Sequence, residues 1–170
     1  MFELKSISHD GIPKALARAE RYRLLNEPRD AESICRDVLR ADPENQDAVR
    51  MMLLAITDQF GRDPCVNIRH VEEMLPRIDD EYDREYYAGI ACERWAKTQM
   101  EKNSPGYVSF DWFVKAMKRY DKADAMSDSG NEEAKLRWNA CARIIRRHDD
   151  VGPRPEDKLD EHFQDDVPVH

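Results

Sequence analysis

Two groups of residues have the types and spacing that chemistry would need. His70 and Glu73 stand three positions apart, which puts both on one face of a helix. The run His148, Asp149, Asp150 has the adjacent imidazole and carboxylate that can hold a hydrolytic metal. Either group closes into a site only with further ligands from other helices. The remaining histidines, His9, His162 and His170, fall in the end segments. His70 and Glu73 are therefore read as a solvated helix face, and His148–Asp150 as a helix end and linker. No Glu-x-x-His pair, serine nucleophile elbow, phosphate-binding glycine loop or dinucleotide fingerprint occurs. The reading is a protein that is not an enzyme, with no catalytic, cofactor-binding or metal-ligating residues.

Two other groups could act by contact rather than by chemistry. Tyr107, Phe110, Trp112 and Phe113 form an aromatic group that either covers a long helix or serves as a wedge for a partner. Arg143, Arg146 and Arg147 make a small basic face, which suits the C-terminal end of a helix dipole. That face could also hold an acidic segment.

Caps, breakers and apolar spacing define seven helices to position these groups. The first begins at Pro13 and carries Ala15, Leu16, Ala19, Tyr22 and Leu25; the second follows the turn Asn26–Pro28 with Ala31, Ile34, Cys35, Val38 and Leu39. Asn45 caps a third that Gly61 terminates, and Asp63 with Pro64 opens a fourth carrying Ile68, Val71, Met74 and Leu75. Asp79 and Asp80 cap a long fifth helix to about Lys102, broken by Asn103–Gly106. The sixth runs from near Ser109 to the polar stretch at Ser127, and the seventh from Glu132 to about Arg147. No segment alternates as a β-strand would.

Composition narrows the function class. A net charge of -8 over 170 residues argues against a surface that tracks phosphates, so nucleic acid is not an expected partner. Half of that excess lies after Asp150, where six acidic residues oppose Arg154 and Lys158. Residues 1–150 are read as the helical domain and 151–170 as an acidic, disordered tail. Met1–Asp10 lacks a basic stretch followed by an apolar run, and no window is apolar enough to span a bilayer, so a cytoplasmic protein without membrane contact is expected. Cys35, Cys65, Cys92 and Cys141 lack the close pairs of zinc or redox sites and are read as small buried hydrophobes.

The helices repeat. Ala15 and Val49, Ala19 and Leu53, Tyr22 and Ile56, and Ala31 and Cys65 are each 34 positions apart. Small residues at such positions let antiparallel helices approach, an aromatic fills the gap beside them, and Pro43 limits the second helix. In these residues the chain, over about Ile12–Arg147, resembles the tetratricopeptide repeat family. A third unit places Ala88 and Gly89 at the close approach, with Ala116, Tyr120 and Ala123 opposite them after a longer first helix and turn. The resemblance implies an all-α, right-handed α-α superhelix of antiparallel hairpins.

It also implies that the first helices of successive units line a concave groove. By alignment that groove takes Leu16, Glu20, Arg23 and Leu24 from the first unit and Arg50, Leu54 and Asp58 from the second. Leu16 and Glu20 stand where the family's carboxylate grip has lysine and asparagine, so that grip is not implied. Tyr107, Phe110, Trp112, Arg143 and Arg147 form a second candidate surface. The expected function is an adaptor, scaffold or chaperone-like protein, monomeric or weakly dimeric, that binds a peptide or helix in the groove. The competing reading is an all-helical hydrolase or small-ligand domain with a pocket at the aromatic third hairpin.

Overall fold

A computed structural model describes residues 2–154 and 156. Among them are seven α-helices and no strand: α1 (Ile12–Leu24), α2 (Pro28–Ala41), α3 (Gln46–Thr57), α4 (Ile68–Met74), α5 (Glu81–Glu101), α6 (Gly106–Met126) and α7 (Glu133–Arg147). Single 3-10 turns precede α1 and follow α4. No helix of the described residues is long and apolar enough to cross a membrane.

The boundaries follow from local chemistry. Asn26 and Asn103 adopt φ of 65° and 53° just beyond α1 and α5. In both, the next amide reaches back to the helix, Glu27 N–H to the Tyr22 carbonyl (2.9 Å) and Ser104 N–H to the Gln99 carbonyl (3.0 Å), closing a Schellman cap. Asn45 accepts from the Ala48 amide at 2.9 Å and Asp80 from the Asp83 amide at 2.8 Å, capping α3 and α5 as expected.

Two expectations around residues 57–67 are corrected. α3 ends at Thr57, four residues short of Gly61, because the chain leaves the helix to bury Gln59 and Phe60. The Phe60 ring meets Trp95 edge-on at 5.1 Å. Asp63 and Pro64 do not start α4. The Asp63 carboxylate accepts the Cys65 amide (2.9 Å) in a local turn, and the helix begins at Ile68 instead. There Asn67 accepts from the Arg69 amide while its own N–H reaches His70 Nδ1 at 3.3 Å.

That displacement removes Cys65 from the packed position assigned to it. Cys65 is exposed, whereas Cys35 and Cys141 are buried and Cys92 is half-buried. Burial pushes the thiols of Cys35 and Cys141 up to about 12 and that of Cys92 to about 11, so they stay protonated and unreactive at neutral pH. Native protein is expected to take up one equivalent of a maleimide rapidly, at Cys65, and three more only on unfolding. Rapid loss of a second thiol without loss of helicity would contradict this assignment.

Each helix packs on the next, and α1, α3 and α5 also touch one another in order. At the first contact Ala19, Ala31, Cys35 and Ala55 are fully buried, and their small side chains allow the backbones of α1, α2 and α3 to approach closely. Val49, Leu53, Ile56, Val71, Ile78 and Ala91 tie α3 and α4 to α5. The largest cluster joins α5, α6 and α7 through Ile90, Ala96, Phe113, Ala116, Tyr120, Ala134 and Cys141. Gly89 lies against the Tyr120 ring there, as the spacing predicts; a Cβ on Gly89 would sit 2.5 Å from Tyr120 Cε1.

α6 begins three residues earlier than Ser109, at Gly106. The breaker Pro105 serves as its N-cap residue, and the Asp150 carbonyl approaches Gly106 so closely that a Cβ would lie 1.7 Å away. The packed unit extends through Val151, which is 4% exposed within the α5–α6–α7 cluster. The remainder of the acidic segment, residues 155 and 157–170, lies outside the described residues.

Candidate functional site

Asp58 is the pivot of the face formed by α1, α3 and α5. Its two carboxylate oxygens are divided between two helices: Arg23 Nε of α1 reaches one at 2.7 Å, and Arg94 of α5 reaches the other at 2.5 Å. Arg94 also donates to Thr57 Oγ1 and the Leu54 carbonyl (2.5 and 3.3 Å), and Arg23 extends over the Met51 sulfur at 3.9 Å. A second cluster follows nearer the start of α3, where Arg50 binds Asp47 at 2.7 Å and Asp83 of α5 at 2.6 Å. A single carboxylate shared by two guanidiniums holds three helices in register without closing the surface between them.

These links have a common sequence separation. Arg23 to Asp58 spans 35 residues, Asp58 to Arg94 spans 36 and Arg50 to Asp83 spans 33, while Glu85 to Arg119, 34 apart, joins α5 to α6 within one hairpin. Elsewhere Arg29 to Asp63 spans 34 and Arg77 to the Pro43 carbonyl spans 34.

The residues aligned to a groove divide into three kinds. Arg23, Arg50 and Asp58 form the ion pairs just described. Leu16 and Leu54 are half-buried and pack into the core, Leu16 beside Ile12 and Val38, Leu54 against the cluster containing Ile90. Glu20 and Leu24 face solvent, with Leu24 82% exposed. Beside Leu24 opens a cleft of about 390 Å³ lined by Arg23, Asp58, Arg62, Arg94, Lys97 and Glu101. Of the aligned residues, Arg23, Leu24 and Asp58 thus meet at one cleft, while Leu16 and Leu54 are shared with the packing.

The aromatic third hairpin is occupied by its own structure. Trp112 meets Trp95 edge-on at 6.5 Å and carries the Lys115 ammonium 4.1 Å above its ring. Phe110 packs on the α5–α6–α7 cluster, Phe113 is fully buried within it, and Tyr107 lies under the Arg154 guanidinium at 5.0 Å. Arg143 and Arg147 lie on α7, where Arg143 and Arg147 are both exposed. His70 is engaged at the α4 cap, and no group of three metal-ligating side chains occurs among the described residues. No family model, curated protein or solved structure matches this chain.

Glu93 is the functional-looking residue that sequence reasoning did not select. It is 1% exposed, between α5, α6 and α7. Tyr120 donates its hydroxyl to one oxygen at 2.7 Å, Lys97 binds the other at 2.5 Å, and Arg137 stands 3.4 Å from both. Burial alone would raise the carboxyl, but the Lys97 and Tyr120 hydrogen bonds and the charges of Lys97 and Arg137 hold it below its ordinary value. Burial beside that carboxylate drives the Tyr120 phenol well up, so Tyr120 stays protonated as the donor. A signal was present: Glu93 sits three residues from both Ile90 and Ala96, on the apolar face of α5.

Proposed function

We propose that this protein is a tetratricopeptide-like interaction module whose α1, α3 and α5 present a shallow concave face to a peptide or helix of a partner protein. The observation that carries the reading is the Arg23–Asp58–Arg94 bridge. It couples the first helices of three successive hairpins at separations of 35 and 36 residues while leaving an open cleft and an exposed Leu24 at its rim. Stacked hairpins related by one period have this pattern of links, and an apolar side chain beside charges that are already oriented can anchor a segment. The reading assigns binding, not bond-making, to this surface.

The test is selection of binders from a displayed random dodecapeptide library on the full chain, followed by mapping of a synthetic binder by amide chemical shifts. Shifts are expected to concentrate on Glu20–Leu24, Met51–Asp58 and Arg94–Lys97. Leu24→Glu, a change at an exposed site, is expected to weaken the binder about tenfold, or about 1.4 kcal/mol, with the unfolding midpoint unchanged. Binders that map instead to the cleft between Glu72 and Arg119, or that ignore Leu24→Glu, would refute the assignment. Leu54 is a poor probe because its substitution would also disturb the core.

A further inference from the structure

In a chain of net charge -8, the exposed face of α6 is basic. Lys115, Lys118, Arg119 and Lys122 recur at steps of three and four and are all exposed, so they form one stripe. Arg119 binds Glu85 at 2.8 Å and Lys115 lies over Trp112, while Lys118 and Lys122 have no ionic partner among the described residues. Of the acidic residues near it, Asp121 is exposed at the border of the stripe between Lys118 and Lys122, and Asp124 is turned to Lys135 of α7 at 3.9 Å.

One turn before Lys115, the same face starts at Asp111. This is where the C-terminal segment returns. After α7, the Asp150 carbonyl packs on Gly106 and Val151 enters the core. Arg154 then reaches Asp111 at 3.4 Å, with its guanidinium over the Tyr107 ring. The chain is thus delivered to the head of the lysine stripe, one turn before Lys115. The residues that come next are Glu156, Asp157, Asp160, Glu161, Asp165 and Asp166, opposed by Lys158 alone.

We propose that the basic face of α6 is the docking surface for the acidic segment Glu156–Asp166 of the same chain. The lengths agree: Asp111 to Lys122 is eleven helical residues, roughly 16 Å, and ten extended steps from Glu156 to Asp166 cover up to roughly 33 Å. A single exposed ion pair contributes little, but the attachment at Arg154 makes the encounter intramolecular, so several weak pairs act together at high effective concentration. The docked segment neutralises this basic face, and an acidic partner could use that face only by displacing it. This inference is independent of the groove on α1, α3 and α5.

Paramagnetic relaxation in the full chain tests it, with a nitroxide on Val167→Cys in a Cys65→Ser background so that the label has one accessible thiol. At about 10 mM salt, where screening extends about 30 Å, the amide peaks of Lys115–Lys122 are expected to be lost. They are expected to return near 1 M salt, where it extends about 3 Å. Lys118→Glu with Lys122→Glu is expected to restore them at low salt, with circular dichroism confirming the fold. Loss centred on Arg143–Arg147 or on α1 and α3, no loss at all, or loss transmitted from labelled to isotope-enriched unlabelled copies overturns the proposal. Should the double variant unfold, the salt titration of the unsubstituted chain decides the matter.

Discussion

Glu93→Ala is expected to lower the thermal unfolding midpoint by about 6–12 °C, the equivalent of about 3 kcal/mol in a chain of this size. The cost has two sources. Truncation leaves a cavity among Ile90, Tyr120 and Cys141, and it strands the Tyr120 hydroxyl, which has no route to solvent because Tyr120 is fully buried. An unsatisfied buried hydroxyl costs about 1–3 kcal/mol and a cavity of a few methylenes a comparable amount. Lys97 and Arg137 add less, since their side chains are 43% and 35% exposed and water can take up their charges.

Glu93→Gln separates the charge from the hydrogen bond. The amide oxygen can still accept from Tyr120, so the loss at neutral pH is expected to be smaller, about 1 kcal/mol. Because the folded carboxyl lies below its unfolded value, ionised Glu93 stabilises the native state fully above the ordinary carboxylate range. That contribution is lost as pH falls through the folded pKa. The gap between wild type and Glu93→Gln is therefore widest near neutrality and closes in acid. Urea melts from acid to neutral pH measure it, and a gap that does not vary with pH would show that Glu93 is not ionised in the fold.

The second large effect is expected at Gly89, where two principles oppose each other. Replacing a mid-helix glycine with alanine ordinarily gains about 1 kcal/mol. Here the new methyl would lie 2.5 Å from Tyr120 Cε1 and 2.7 Å from Cδ1. The ring has nowhere to go, since it is fully buried and its hydroxyl is held by Glu93. Overpacking of this kind costs about 1–3 kcal/mol, so Gly89→Ala is expected to destabilise despite its higher helix propensity, and Gly89→Val more so. Denaturant midpoints provide the measurement. A stabilised Gly89→Ala would mean that α5 and α6 lie farther apart than the structure shows.

The helices and most of their ends were legible in the sequence because they depend on neighbours within a few residues. Asn45 and Asp80 cap by binding amides three positions away, and Asn26 and Asn103 end helices by a backbone conformation that asparagine tolerates. The close approach at Gly89 and Tyr120 was legible for a related reason: small residues on a helical stripe have few uses besides contact. By the same logic the start of α4 was misread. Asp63 and Pro64 resemble a helix start locally, and only the burial of Phe60 against Trp95, far along the chain, makes that segment a turn.

What the tertiary structure alone decided is the partnership of charges. Sequence by itself placed Arg23, Arg50 and Asp58 on helix faces, yet a charged residue on such a face looks the same whether it meets water, a ligand or another helix. Asp58 became a bridge only when α1 and α5 brought guanidiniums to its two oxygens, and Glu93 became a buried anion only when α6 and α7 closed over it. Periodicity reports burial, which is local and additive along a helix. Electrostatic pairing depends on distances between atoms 27 to 44 positions apart in the chain, and those distances exist only after the helices have packed.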